Sequence, residues 1–246
     1  MHPLLENIFI NNEIANDNNK KISLKSCTGK NQCAFLQKII EENKFRDSLE
    51  VGLMYGTSTL AITEAIVKNG GRHCAIDPFE VTHWNSLGLN LIDRAGYRNK
   101  LDFIEKCSYL ALPELLSKNK RFDFAYIDTV KVFDCIVVDF FYVSRLLNTG
   151  GIVVFDDVNW PGIRKALRLF AQMPNFKIYA VHPYNEIQGE RRKVQLATFL
   201  NKFSRIKPMV NQELLLSDYK LGINTSCVAL QKITEDERNW DWNIGF

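Results

Sequence analysis

Two hydrophobic rhythms alternate along the chain. "SLEVGL", "HCAIDPF", "LDFIEK", "FDFAYID", "GIVVFDD" and "FKIYAVH" are short apolar runs, the pattern of six buried strands. Between them, apolar residues recur every three or four positions. "CAFLQKIIEENKF" sets Phe35, Leu36, Ile39 and Ile40 at helical spacing, and "TSTLAITEAIVKNGG" predicts a helix closed by Gly70 and Gly71. "WNSLGLNLIDRAG", "VFDCIVVDFFYVSRLLNTGG" and "WPGIRKALRLFAQM" predict three more helices. "SYLALPELLSKN" reads as helical at its ends, with Pro113 opening a new helix. A last strand, "TSCVALQKI", precedes the tail "TEDERNWDWNIGF". Two segments break the rhythm. The Asn-rich "NNEIANDNNKK", Asn11 to Lys21, reads as a mobile linker after a short N-terminal element. "NEIQGERRKVQLATFLNKFSRIKPMV" is polar and poorly periodic, and reads as an insertion or lid.

Strands that alternate with helices predict a doubly wound α/β domain around a mainly parallel sheet. The domain is expected over residues 33–246, after an extension and linker over 1–32. Such sheets bind ligands outside the carboxyl ends of their strands, where strand order reverses. The residues at those ends are Gly52, Asp77, Lys106 with Cys107 and Ser108, Asp128, and Asp156 with Asp157. Three of the five ends carry acids, which apolar strands seldom do.

Composition narrows the function classes. A hydrophobic content of 46% supports a substantial core, and 24% charged residues support a hydrated surface. A net charge of +3 is too balanced for a nucleic-acid binder. The six cysteines are scattered without a CxxC pair and read as reduced thiols rather than zinc ligands or disulfides. The N-terminus lacks a cleavable signal pattern, and no apolar run reaches membrane-spanning length. The expectation is a cytoplasmic protein whose partner is a small molecule, with neither nucleic acid nor membrane, and with a homo-oligomer left open.

"LEVGLMYGTSTL" carries the cofactor chemistry. Gly52 and Gly56 allow a tight turn, and the following helix start exposes amides suited to an anionic group. Asp77, ending the next strand, can accept the hydroxyls of a ribose. A dinucleotide site wants G-x-G-x-x-G, whereas here G-x-x-x-G encloses bulky Leu53, Met54 and Tyr55. Glu50, just ahead of the first glycine, suits the ammonium of an amino acid moiety.

Together "SLEVGLMYGTSTLAI", "GGRHCAIDPFE", "FDFAYID", "VDFFYVSRLLNTGGIVVFDD" and "NWPGIRKAL" resemble class I S-adenosylmethionine-dependent methyltransferases. The nearest branch is the bacterial small-molecule O-methyltransferases related to catechol O-methyltransferase and the metal-dependent sugar O-methyltransferases. The likeness runs from about Cys33 to Phe246. It implies a Rossmann-like methyltransferase fold, with seven strands and the last one antiparallel beside the fifth. It also implies that Glu50, Gly52, Tyr55, Gly56 and Ser58 surround the methionine part of S-adenosylmethionine. Asp77 would take the ribose, and Ser108 with Tyr109 would lie near the adenine.

O-methylation needs a more nucleophilic hydroxyl, which a divalent cation such as Mg²⁺ can supply. Asp128, Asp156 and Asp157 could converge on one ion, and relatives that bind metal place ligands at these positions. Close relatives follow the strand-four Asp with Gly-x-His, and here Thr129 and Lys131 stand instead. Catechol-type relatives carry a lysine at this spacing, so the resemblance makes Lys131 a candidate base beside Asp128. A solvated lysine at a helix start remains open, and so does His83 as a displaced base. The resulting expectation is an O-methyltransferase acting on a sugar or secondary metabolite. The alternatives are a catalytically impaired cofactor-binding protein and a metal-independent N-methyltransferase, with a nicotinamide-dependent oxidoreductase disfavoured by the missing third glycine.

Overall fold

The computed structural model describes residues 1–15, 21–184, 195, 196, 198–203, 216–218 and 220–245. At the N-terminus the His2 ring accepts a hydrogen bond from the Leu4 amide and Pro3 starts α1 (Pro3–Asn11), whose Leu5 and Ile8 are buried. The Asn-rich stretch then departs from the expected linker. β1 (Glu13–Ala15) pairs antiparallel with β2 (Lys21–Ser23), Ile14 facing Ile22, and residues 16–20 lie outside the described set. Ile14 is 1% exposed, so one apolar residue in a polar run anchors this strand pair.

The alternation then proceeds as the periodicity predicts. α2 (Lys30–Asn43) leads to β3 (Asp47–Val51), α3 (Thr57–Lys68), β4 (Arg72–Ile76), α4 (Leu87–Arg94) and β5 (Leu101–Ile104). α5 (Ser108–Ser117) runs through Pro113 as one helix, not the two segments expected. Ala111, Leu112 and Leu115 are buried on both sides of the proline, and that packing offsets its missing N–H. β6 (Phe122–Ile127), α6 (Phe133–Leu146), β7 (Leu147–Phe155), α7 (Pro161–Phe170), β8 (Phe176–Tyr184) and β9 (Thr225–Lys232) complete the order. The expected insertion between β8 and β9 lies for the most part outside the described residues.

The seven-stranded sheet has the order β5-β4-β3-β6-β7-β9-β8. β3, β4, β5, β6 and β7 pair in parallel, whereas β9 is antiparallel to both its neighbours and lies beside β7, as the resemblance implied. Period-two alternation sorts each strand's side chains to two faces. Leu49, Val51, Ile127, Val153 and Phe155 join the core made with α5, α6 and α7. Phe124, Tyr126, Ile152 and Val154 pack on the other face against Leu36 and Ile40 of α2 and Ile62 and Ile66 of α3. Phe140 of α6 stacks on Phe170, with ring centroids 4.0 Å apart, and meets Phe155 and Phe176. Strand order reverses between β3 and β6, so the crevice above Val51 and Ile127 is where a ligand is expected.

Candidate active site

A cavity of about 730 Å³ opens at this switch point. Its floor is built by close backbone packing. Gly52 has φ +97°, and a Cβ there would lie 1.9 Å from the Asp128 carbonyl oxygen. Only glycine lets the turn after β3 approach the end of β6 this closely. Gly56, at φ +73°, has the same need against α4: its Cβ would come 2.8 Å from the Gly88 Cα. Gly56 therefore serves packing and does not line the cavity.

Asp77 is 5% exposed and ties the turn together. One carboxylate oxygen accepts from the amides of Leu53 and Met54, at 2.9 and 3.1 Å, and the other accepts from Phe79 N at 2.7 Å. A carboxylate offers about four lone-pair sites, so three are engaged and capacity for a hydroxyl donor remains. Tyr55, Ser58, Ser108 and Tyr109 also line the cavity, Tyr55 against the Trp84 ring and Tyr109 59% exposed at its edge.

Glu50 is placed elsewhere. Strand alternation turns it away from the cavity, fully buried, with Oε2 3.1 Å from His73 Nε2; Nδ1 of that ring lies 2.8 Å from Ser48 Oγ. Its other oxygen, Oε1, has no hydrogen-bond partner among the described residues, and Glu50 is not among the side chains lining the cavity. His83 is exposed beside Phe79 and Thr82 and does not line the cavity.

The acids at the ends of β6 and β7 do converge. Carboxylate oxygens of Asp128, Asp156 and Asp157 lie within 4.8 Å of one another. Asp156 is held on both sides: Oδ2 accepts from the Tyr126 hydroxyl at 2.8 Å and Oδ1 from the Asp157 amide at 2.7 Å. Gln32 Nε2 donates to the same Tyr126 oxygen at 2.9 Å. Burial, reinforced by the charges of Asp128 and Asp157, pushes Asp156 up to about 6. Burial also raises Asp128, although the Lys131 ammonium opposes it.

Lys131 Nζ stands 2.6 Å from Asp128 Oδ1 and 2.8 Å from Asp157 Oδ2. Burial alone would lower its pKa, but the two carboxylates outweigh burial and hold it above the ordinary lysine value. The lowered value that a general base needs is therefore not what this arrangement produces. Three hard oxygen donors at this spacing suit a hard divalent cation, so the residues present fit the implied metal.

Several residues of the site carry no motif. Thr28 and Gln32, ahead of and within α2, reach the cavity and Tyr126. Asp139 of α6, 1% exposed, lines it beside Ser108, and burial raises its carboxyl to about 6. An acid inside an apolar helical run was the available signal for Asp139. Nothing local marks Gln32, which meets Tyr126 across 94 residues. All six cysteines are free; Cys27, Cys107 and Cys135 line the cavity while the others are buried. Among the described residues, no helix is long and apolar enough to cross a membrane.

The chain is 27% identical over 166 residues to tapetum-specific methyltransferase 1 of Arabidopsis thaliana, covering 66% of this chain and 69% of that protein. It is 28% identical over 176 residues to caffeoyl-CoA O-methyltransferase of Stellaria longipes, covering 67% and 66%. Other plant relatives are matched over about half their length, 53% and 50% in two cases. Among solved structures, an O-methyltransferase from Bacillus cereus in complex with SAH superposes with a TM-score of 0.57 at 20% identity, covering 64% of this chain and 77% of that one. This likeness supports the Rossmann-like methyltransferase fold. The family profile for O-methyltransferases matches residues 5–194, well over half of the chain, and the chain belongs to the O-methyltransferase family.

Proposed function

We propose that this protein transfers a methyl group from S-adenosylmethionine to a hydroxyl of a small molecule, with a divalent cation bound at the strand ends. The observation that carries this reading is that the carboxylate cluster and the glycine turn with Asp77 open onto one cavity. The start of α3 favours the carboxylate of the cofactor's amino acid part. Asp77 retains capacity for a ribose hydroxyl, and Ser108 and Tyr109 flank the space left for the adenine. Asp128, Asp156 and Asp157 would hold the cation, which when bound lowers the pKa of an acceptor hydroxyl and orients it.

The acceptor's body would lie over the outer wall. Val130 and Val138 line the cavity while remaining 52% and 38% exposed. This apolar edge favours an acceptor with an aromatic ring over a bare sugar, and several of the plant relatives are named for caffeoyl-CoA. Lys131 serves as base only when separated from its two carboxylates. Its seating supports a second reading, in which the chain binds cofactor without turnover.

Calorimetry with S-adenosylhomocysteine, followed by transfer from labelled S-adenosylmethionine to a panel of catechols and hydroxycinnamates, tests both readings. The expected outcome is micromolar cofactor binding and methylation of at least one phenol. Asp156→Asn should lower turnover by about a hundredfold or more while cofactor affinity stays within about threefold. Cofactor binding with no transfer across the panel would favour the second reading, and absent binding would sink both.

A further inference from the structure

The position of Lys131 points beyond a choice of base. We propose that Lys131 is a tethered cation that occupies the carboxylate cluster and must be displaced by an incoming divalent ion, so that this one side chain sets the site's cation affinity. The inference rests on the metal-assisted reading above and adds a role for a residue of this chain.

Three observations carry it. First, the ammonium bridges Asp128 and Asp157, two of the three acids whose oxygens lie within 4.8 Å of one another. A hard divalent ion takes carboxylate oxygens at roughly 2.0–2.6 Å. Lys131 Nζ already sits 2.6 and 2.8 Å from those same ligands, so the two cations compete for one position. Second, the backbone carrying Lys131 is clamped. Asp128 packs its carbonyl under Gly52, and a Cβ at Gly162 would lie 2.9 Å from the Lys131 carbonyl and 3.2 Å from the Phe133 amide. Both ends of the loop are thus packed closely against neighbouring backbone, and exchange falls to the flexible four-carbon stem. Third, that stem has somewhere to go: Lys131 lines the cavity with its side chain 26% exposed.

The remaining ligand is prepared for an ion rather than for the lysine. Asp156 is fixed by Tyr126 and by the Asp157 amide, and makes no ion pair with Lys131 among the described residues. One carboxylate thus stays organised while the ammonium compensates the other two. Without any cation, three clustered carboxylates repel one another. Lys131 removes part of that repulsion, so the protein should tolerate chelation.

The test is Mn²⁺ binding, followed by calorimetry or by the paramagnetic signal of free Mn²⁺. Lys131→Met keeps an unbranched stem and removes the charge. It should bind Mn²⁺ about tenfold or more tightly than the unmodified protein, because a like charge has left the site. Lys131→Gln, as a second neutral variant, should tighten binding in the same direction. Thermal unfolding supplies an independent readout. EDTA should leave the unmodified protein unchanged, lower the melting temperature of Lys131→Met, and be reversed by excess Mn²⁺. Equal or weaker Mn²⁺ binding in both neutral variants overturns the inference. Asp156→Asn separates that failure from failure of the metal-assisted reading. If Mn²⁺ binds neither the unmodified protein nor the variants, or if Asp156→Asn leaves binding intact, the cluster is not the cation site and both fall together.

Discussion

At the residue scale, the site depends on groups whose burial has a direct electrostatic consequence. Asp139 is the simplest case because it has no ion-pair partner among the described residues. Burial raises its folded-state pKa to about 6, although the Ser108 hydroxyl partly opposes the shift. The unfolded carboxyl titrates near 3.9, so the folded chain holds this proton more tightly than the unfolded chain does. Its stabilising contribution is fully present below about pH 4 and is lost as pH rises through about 6. Asp139→Asn cannot ionise and still offers Ser108 an acceptor. The unfolding free energy of the variant minus that of the unmodified protein should grow by on the order of 2–3 kcal/mol between pH 4 and pH 7. Urea titrations at stepped pH check this, and a difference that stays flat would mean the carboxyl is hydrated. Gly52 shows the other residue-scale constraint: its φ of +97° and its contact with the Asp128 carbonyl make one position serve both strand ends.

At the element scale, the end of β6 does more than deliver Asp128. Alternation sends Ile127 into one core and Tyr126 to the other face, where its hydroxyl joins Gln32 of α2 to Asp156 at the end of β7. A strand, a helix and a neighbouring strand end are thus held by one phenol. Tyr126 has no exposed surface, so removing its hydroxyl leaves Gln32 Nε2 and Asp156 Oδ2 without this partner. Tyr126→Phe should lose about 1–3 kcal/mol of stability, read from the denaturation midpoint at constant slope. A loss below about 0.5 kcal/mol would show that the neighbours re-pair with water. α5 adds a related lesson, since its buried face carries the helix through Pro113 where local propensity predicted a break.

At the scale of the whole molecule, the N-terminal segment is part of the same packing. Leu5 and Ile8 of α1 join Ile14 and Leu24 in a cluster with Leu53, Tyr55 and Leu60, and Ser26, Cys27 and Thr28 then reach the cavity wall. The expected extension over residues 1–32 therefore contributes both core and site. Leu5 has no exposed surface, and Leu5→Ala should cost about 2–4 kcal/mol through lost burial and the cavity left behind. Chemical denaturation measures it. A change near zero would mean that α1 packs too loosely to matter.

Much of this was legible from the chain itself. Short apolar runs and period-3.6 patterns are local, and they marked every strand of the large sheet and its flanking helices. Acids ending apolar strands are costly without a purpose, which singled out Asp77, Asp128, Asp156 and Asp157. The glycine turn followed from residue types alone. What only the tertiary structure decided were relations between distant positions. Glu50 was marked by its place before Gly52, and only the fold set it in the sheet against His73. Gln32 acquired its role through Tyr126, and α1 became core through residues that follow it by dozens of positions. Lys131 was visible as a lysine three residues after Asp128, yet spacing left base and solvated side chain equally open. Its second partner, Asp157, comes from the neighbouring strand end, and only folding could place that ammonium between two carboxylates. Local patterns specify elements because they depend on neighbours in sequence. Charge compensation depends on neighbours in space.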